Sequence, residues 1–149
     1  MTSMSDRVFL DTNILVYAYD FEDAAKQKRA ALIVEQGVQN DTIALSTQVL
    51  GEFFVTVVRK IKKPLTAQEA ETVLRMLLPV PLVEVNRALV DAAIAFHVRY
   101  NISYWDGLII AAAERAGCPK IFSEDLSDGQ QYGTVVVENP FRIPSKPSH

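Results

Sequence analysis

Short apolar runs alternate along this chain with longer stretches whose hydrophobic positions recur at helical spacing. The run Arg7-Val8-Phe9-Leu10 reads as a first strand, and Asn13 to Tyr19 as a short helix behind it. Ala24 to Gln36 is amphipathic, with Lys26, Lys28 and Arg29 assigned to solvent. Thr42 to Leu45 gives a second strand, followed by a helix from Thr47 to about Lys62 that Pro64 stops. Thr66-Ala67-Gln68-Glu69 is a capping box opening a helix that ends before Pro79. Pro81 to Val85 is a short strand, and Asn86 caps a helix from Arg87 to Tyr100. Ser103-Tyr104-Trp105-Asp106 repeats the capping-box pattern ahead of an Ala-rich helix that ends at Gly117 and Pro119. Lys120 to Ser123 and Thr134 to Val137 close the set. This alternation predicts an α/β fold: one mostly parallel, twisted sheet with helices on both faces. Residues 1–143 read as one domain and 144–149 as a flexible tail.

Composition narrows the class. The chain has 149 residues, nearly half of them hydrophobic, enough for one substantial core. No apolar stretch reaches membrane-spanning length and the N-terminus lacks a signal-peptide layout, so no membrane role is expected. A lone cysteine, Cys118, forms no internal disulfide and suits a reducing cytoplasm. The net charge of −3 argues against coating nucleic acid by bulk electrostatics, though not against a nuclease.

The candidate chemistry is acidic. Asp11 ends the first strand, Glu52 lies near the start of the helix after the second, Asp106 opens the Ala-rich helix, and Asp125 follows the Lys120 strand. In βα units the starts of helices and the ends of strands share the carboxyl edge of the sheet. Four carboxylates gathered there repel one another, and divalent cations relieve that repulsion. Singly, each has a structural reading: Asp11 as a helix N-cap, Asp106 as a capping-box partner, Asp125 as a turn residue. Glu52 sits in Val49 to Val58, apolar nearly all round, and is expected to be buried. Its structural alternative is a pair with Arg59, seven residues and about 10 Å away along the axis.

Other features carry less. Arg59-Lys60-Ile61-Lys62-Lys63 reads as a solvated helix end or a phosphate-binding rail, with Arg59 the candidate contact. His97 and His149 make no zinc site, there is no Gly-rich phosphate loop, and Trp105 is assigned to the core although stacking on a base is its alternative.

The stretches Phe9-Leu10-Asp11-Thr12-Asn13, Ser46 to Phe53, Tyr104-Trp105-Asp106, Ser123-Glu124-Asp125-Leu126 and Val136 to Phe141 resemble those of a PIN domain, in the same order and over almost the whole chain. The resemblance implies a metal-dependent nuclease, and for so compact a chain a VapC-type toxin ribonuclease of a toxin–antitoxin pair. It maps Asp11, Glu52, Asp106 and Asp125 onto the four acids that hold one or two Mg²⁺ or Mn²⁺ ions. Ser123 matches the small hydroxyl residue before the last acid; with Asn13 and Arg59 it is a candidate substrate contact. Expected partners are an RNA substrate, an antitoxin and a second copy of the chain, the last through apolar helices near Met76-Leu77-Leu78 and Phe53-Phe54. Two rivals stand beside this reading. An aspartyl-nucleophile phosphatase would use Asp11, but Asn13 occupies the place where that chemistry needs a second acid. A binding module for RNA or protein would keep the acids only as caps and turn residues.

Overall fold

A computed structural model describes residues 6–142, so the expected tail at 144–149 lies outside the described residues. Strands β1 (Val8–Leu10), β2 (Ile43–Ser46), β3 (Leu82–Val83), β4 (Lys120–Phe122), β5 (Gln131–Tyr132) and β6 (Val135–Glu138) form one sheet in the order β3-β2-β1-β4-β6-β5. Every pairing is parallel except β5 with β6. Helices α1 (Thr12–Tyr17), α2 (Ala24–Asn40), α3 (Thr47–Arg59) and α4 (Ala67–Met76) pack against one another, while α5 (Arg87–Tyr100) packs on α6 (Tyr104–Arg115). Crossovers between parallel strands are right-handed as a rule, so the reversal from β3 back to β4 assigns these two groups to opposite faces.

Local chemistry sets the boundaries. Thr66 and Glu69 make the complete reciprocal capping box, and the Asn86 side chain caps α5 at Leu89 N–H. α2 runs four residues beyond the expected Gln36, to Asn40, and stops where Asp41 takes the left-handed conformation at φ 56°. α3 ends at Arg59, several residues before Pro64, with Lys60 as its C-cap. The short strand β5 has no counterpart in the predicted elements; it lies between Gly129 and Gly133, whose positive φ values let the chain reverse twice.

α6 is the helix most deeply enclosed, with every residue from Gly107 to Ala113 buried. Its small residues let it approach closely. A Cβ at Gly107 would lie 2.5 Å from the Ala93 carbonyl oxygen of α5. Gly107→Ala is therefore expected to cost about 1–3 kcal/mol, because backbone cannot step aside as a flexible side chain can. Chemical denaturation measures it; a variant as stable as the parent would show that α6 can slide freely. The same seat fixes the neighbouring Asp106.

Candidate active site

β1 lies at the centre of the sheet between β2 and β4, and the chain reverses its direction of winding there. That reversal opens a crevice at the carboxyl ends of β1 and β4, the usual place for a ligand in an open α/β sheet. The Asp11 N–H donates to the Phe122 carbonyl at 3.0 Å, so the two strand ends are locked in register just where Asp11 and Ser123 emerge. A cleft of about 420 Å³ forms over them.

Asp11 is held from three sides. Its extended backbone caps α1, with Oδ1 accepting the Thr12 N–H at 2.7 Å. Oδ2 accepts the Ser123 hydroxyl at 2.7 Å and the Asn13 amide at 3.3 Å. The residue is 7% exposed. Burial pushes its carboxyl up to about 6; the bonds from Ser123 and Thr12 pull against that rise, and the charges of Asp125 and Asp106 add to it. Asn13 braces the far side: its amide also donates to Asp125 Oδ2 at 3.1 Å, and its carbonyl accepts the Glu124 N–H at 3.1 Å.

Asp106 is half-buried at the third position of α6, where its N–H donates to Ser103 Oγ at 3.0 Å. The return bond of a capping box is not made. Aspartate is one methylene shorter than the glutamate that completes the box at Thr66. The Asp106 carboxylate thus lines the cleft, near enough to raise the pKa values of both Asp11 and Glu52.

Glu52 corrects one expectation. It lies on the exposed side of α3, whose buried stripe is only Val49, Phe53 and Val57. Partial enclosure in the cleft and then the Asp106 charge raise its pKa, opposed by Gln48, Thr12 and the Lys60 charge. Thr12 and Gln48 line the cleft with Glu52, and Thr12 Oγ1 and Gln48 Oε1 are buried without a full hydrogen bond. The cation acting on Glu52 is Lys60; Arg59 is exposed and does not line the cleft, and no Glu52–Arg59 pair forms.

Trp105 corrects another. Its ring is 62% exposed at the rim and meets Tyr104 edge-to-face at 4.9 Å, rather than joining the core. Lys26, assigned to solvent, instead reaches Glu124 at 2.6 Å, and the Tyr17 hydroxyl donates to the same carboxylate at 2.6 Å. Glu124 is thereby engaged, and its pKa falls because those bonds outweigh its burial. Cys118 is buried away from the cleft, and burial pushes its thiol up to about 11. Lys26 and Tyr17 escaped the sequence reading because their link to Glu124 spans about a hundred residues; no local spacing encodes it.

Among the described residues no three acidic, histidine or cysteine side chains gather at ligand spacing, so the four acids share a cleft without forming a closed cage. The donors are all oxygen: the four carboxylates, with Thr12 Oγ1 and Gln48 Oε1 lacking partners beside them. That set fits a hard divalent cation such as Mg²⁺ or Mn²⁺ and offers nothing to a soft one.

Comparison with known proteins gives the following. The profile of the family described as PIN domain matches residues 8–127. Among solved structures, VapC20 of Mycobacterium tuberculosis, a sarcin–ricin loop cleaving toxin, superposes with a TM-score of 0.62 at 20% identity, covering 79% of this chain and 89% of that one. FitAB bound to a DNA fragment gives 0.68 at 17% identity, covering 93% and 98%. VapBC2 of Rickettsia felis, bound to promoter DNA, gives 0.60 at 20% identity, covering 88% and 96%. No curated protein sequence matches significantly.

Proposed function

The chain belongs to the PIN domain family, and from that premise we propose that it is a divalent-metal-dependent endoribonuclease, the toxin of a toxin–antitoxin pair. The observation that carries this reading is the buried carboxylate of Asp11, oriented by Ser123, Asn13 and Thr12 and flanked by Asp106 and Asp125 where the sheet reverses. VapC20 is a loop-cleaving toxin, which supports RNA as the substrate class.

Asp11, Asp106, Asp125 and Glu52 would hold the Mg²⁺ or Mn²⁺. When bound, one or two such ions supply an activated water for in-line attack on a phosphodiester and neutralise charge at the phosphate. Asp11 is ionised above about pH 6, and its three donors keep both oxygens oriented. Glu52, at the open side of the cleft, orients the attacking water. The reaction leaves a 5′-phosphate and a 3′-hydroxyl. Trp105 offers an exposed aromatic face at the rim on which a base can stack. Trp105→Ala is expected to weaken RNA binding by about 1–3 kcal/mol. Its effect on stability is expected to be about 1 kcal/mol, the scale of its contact with Tyr104. A melt and a binding titration of one variant separate the two, and a large stability loss with unchanged binding would return Trp105 to a structural role.

An antitoxin is the expected inhibitor, with an Arg or Lys side chain that pairs with the carboxylates and competes with the cation. A similar structure from Klebsiella pneumoniae is a toxin–antitoxin complex, and FitAB and VapBC2 were both solved on DNA. For a homodimer, Phe53 is unavailable because it is fully buried, and Leu77 is buried as well. Met76 and Leu78 are exposed, and Met76 borders an apolar groove with Phe21 and Val38. Among the described residues no helix is long and apolar enough to cross a membrane. The reading places the protein in the cytoplasm with its RNA. Expression of the chain alone should arrest growth, Asp106→Asn should not, and co-expression of the neighbouring gene product should restore growth to the parent. Equal harmlessness of both soluble proteins would remove the toxin part of the reading.

A further inference from the structure

The acidic cleft cannot grip a long substrate unaided. Among the described residues six carboxylates line it (Asp11, Asp20, Glu52, Asp106, Glu124 and Asp125), and no Lys or Arg does. Bound cations neutralise the phosphate being cut, while the phosphates on either side would meet uncompensated negative charge. A strand that stays bound must find positive charge within a nucleotide or two of the cleft.

A second groove, of about 850 Å³, supplies it. Among the described residues Lys26, Arg29, Lys120 and Arg142 line it, with two acids, Asp128 and Glu138. Each acid pairs with one of those cations, Asp128 with Arg142 at 2.9 Å and Glu138 with Lys120 at 3.1 Å, so the uncompensated charge of the groove is carried by Arg29. The groove and the cleft meet at one step. Lys26 lines the groove and binds Glu124 of the cleft at 2.6 Å. Beneath its ammonium lie the rings of Tyr17, which faces the cleft, and Phe141, which faces the groove, packed edge-to-face at 5.1 Å. Arg29 stands one turn of α2 beyond Lys26, on the same face. It is exposed and has no ion pair among the described residues, so its five donors are available. The basic end of α3 is the competing route. There Lys62 is turned to Glu22 at 3.5 Å, and neither Arg59 nor Lys60 lines the cleft or this groove.

We propose that single-stranded RNA runs from the acidic cleft over the Lys26–Tyr17–Phe141 step into this basic groove, where Arg29 holds a phosphate of the flanking strand. The inference rests on the ribonuclease reading and adds the direction of the strand and a length requirement. RNA that reaches the groove is cleaved more efficiently than a trinucleotide that only fills the cleft. The planar guanidinium of Arg29 pairs with two phosphate oxygens in bidentate fashion, which a glutamine cannot reproduce.

The test compares the parent, Arg29→Gln, Arg29→Lys and Arg59→Gln on a trinucleotide and on a longer unstructured RNA, with Mg²⁺ or Mn²⁺, over a range of salt. Arg29→Gln should lose several-fold of the kcat/KM advantage of long over short RNA. Its salt dependence on long RNA should flatten by about 0.7 in log–log slope, the value for one single-strand phosphate contact. Arg29→Lys should keep part of both. An Arg29→Gln protein with the parent's length advantage and salt slope overturns the proposal, as does the same loss appearing in Arg59→Gln instead; either outcome leaves the ribonuclease reading standing. A parent that cleaves neither RNA with either metal removes that reading, and the groove's role falls with it.

Discussion

Asp11→Asn is expected to lose RNA cleavage by about two to three orders of magnitude, the scale of removing one preorganised electrostatic group from an active site. The same protein, freed of metal by chelation, is expected to be more stable than its parent at neutral pH. Burial holds the Asp11 carboxyl at about 6 against an ordinary value of 3.8. Below about pH 4 the group is protonated in both folded and unfolded chains and contributes no difference. Between about pH 4 and 6 the unfolded chain gives up its proton first, so the parent loses stability as pH rises. Above about pH 6 the penalty is complete and amounts to about 3 kcal/mol. Asparagine never carries the charge and so never incurs the penalty, although it loses part of the bonding to Ser123 and Asn13. Added Mn²⁺ should reverse the ranking: a ligand at a hundredfold excess over its dissociation constant stabilises the parent by roughly 2.7 kcal/mol, and the variant by much less. Melts of both proteins in chelator across this pH range decide it. A stability difference that stays flat with pH would mean that burial does not raise the Asp11 carboxyl.

Ser123→Ala also has a large expected effect, although Ser123 carries no charge. Its hydroxyl is fully buried, donates to Asp11 Oδ2 at 2.7 Å and accepts the Leu126 N–H at 3.2 Å. A hydrogen bond to a charged group contributes about 1.5–3 kcal/mol, and an N–H left unpaired in the interior costs about as much again. The combined loss at neutral pH is expected to be about 3–6 kcal/mol. Part of it depends on the Asp11 charge, so the loss should shrink once Asp11 is protonated. Removing that donor also lifts the Asp11 pKa further, and the acid limb of the cleavage profile should move to higher pH. Equal destabilisation at acidic and neutral pH, with an unmoved acid limb, would assign the hydroxyl to the Leu126 turn alone.

The parts of this molecule legible in the sequence are those governed by local chemistry. Val8-Phe9-Leu10, the Thr66–Glu69 box and the Asn86 cap all stand where composition and spacing put them. The placement of Asp11, Asp106 and Asp125 around one cleft follows from a single topological rule, that strand ends and helix starts share an edge. The errors arise where burial depends on distant packing. α3 has apolar letters on nearly every side, yet only one stripe faces the core, leaving Val55 exposed and Glu52 at the cleft mouth. Trp105 has the composition of a core residue, but it precedes the buried run of α6 and projects from the rim. Lys26 sits on a helix face that looks solvated until Glu124 arrives from the other end of the chain. β5 is two residues long between two glycines of positive φ, too short for any alternation to register.

The central claim is that these carboxylates serve a metal-dependent cleavage of RNA. Its most direct test is incubation of end-labelled RNA with purified parent and with Asp106→Asn, each in Mg²⁺, in Mn²⁺ and in chelator. Asp106 suits the comparison because its carboxylate faces the cleft without a hydrogen bond among the described residues, so the amide removes charge and little else. The parent should yield discrete fragments with 3′-hydroxyl ends in metal and none in chelator, and Asp106→Asn should yield none in any condition. Fragments that persist in chelator, or that Asp106→Asn produces as readily as the parent, would contradict the account.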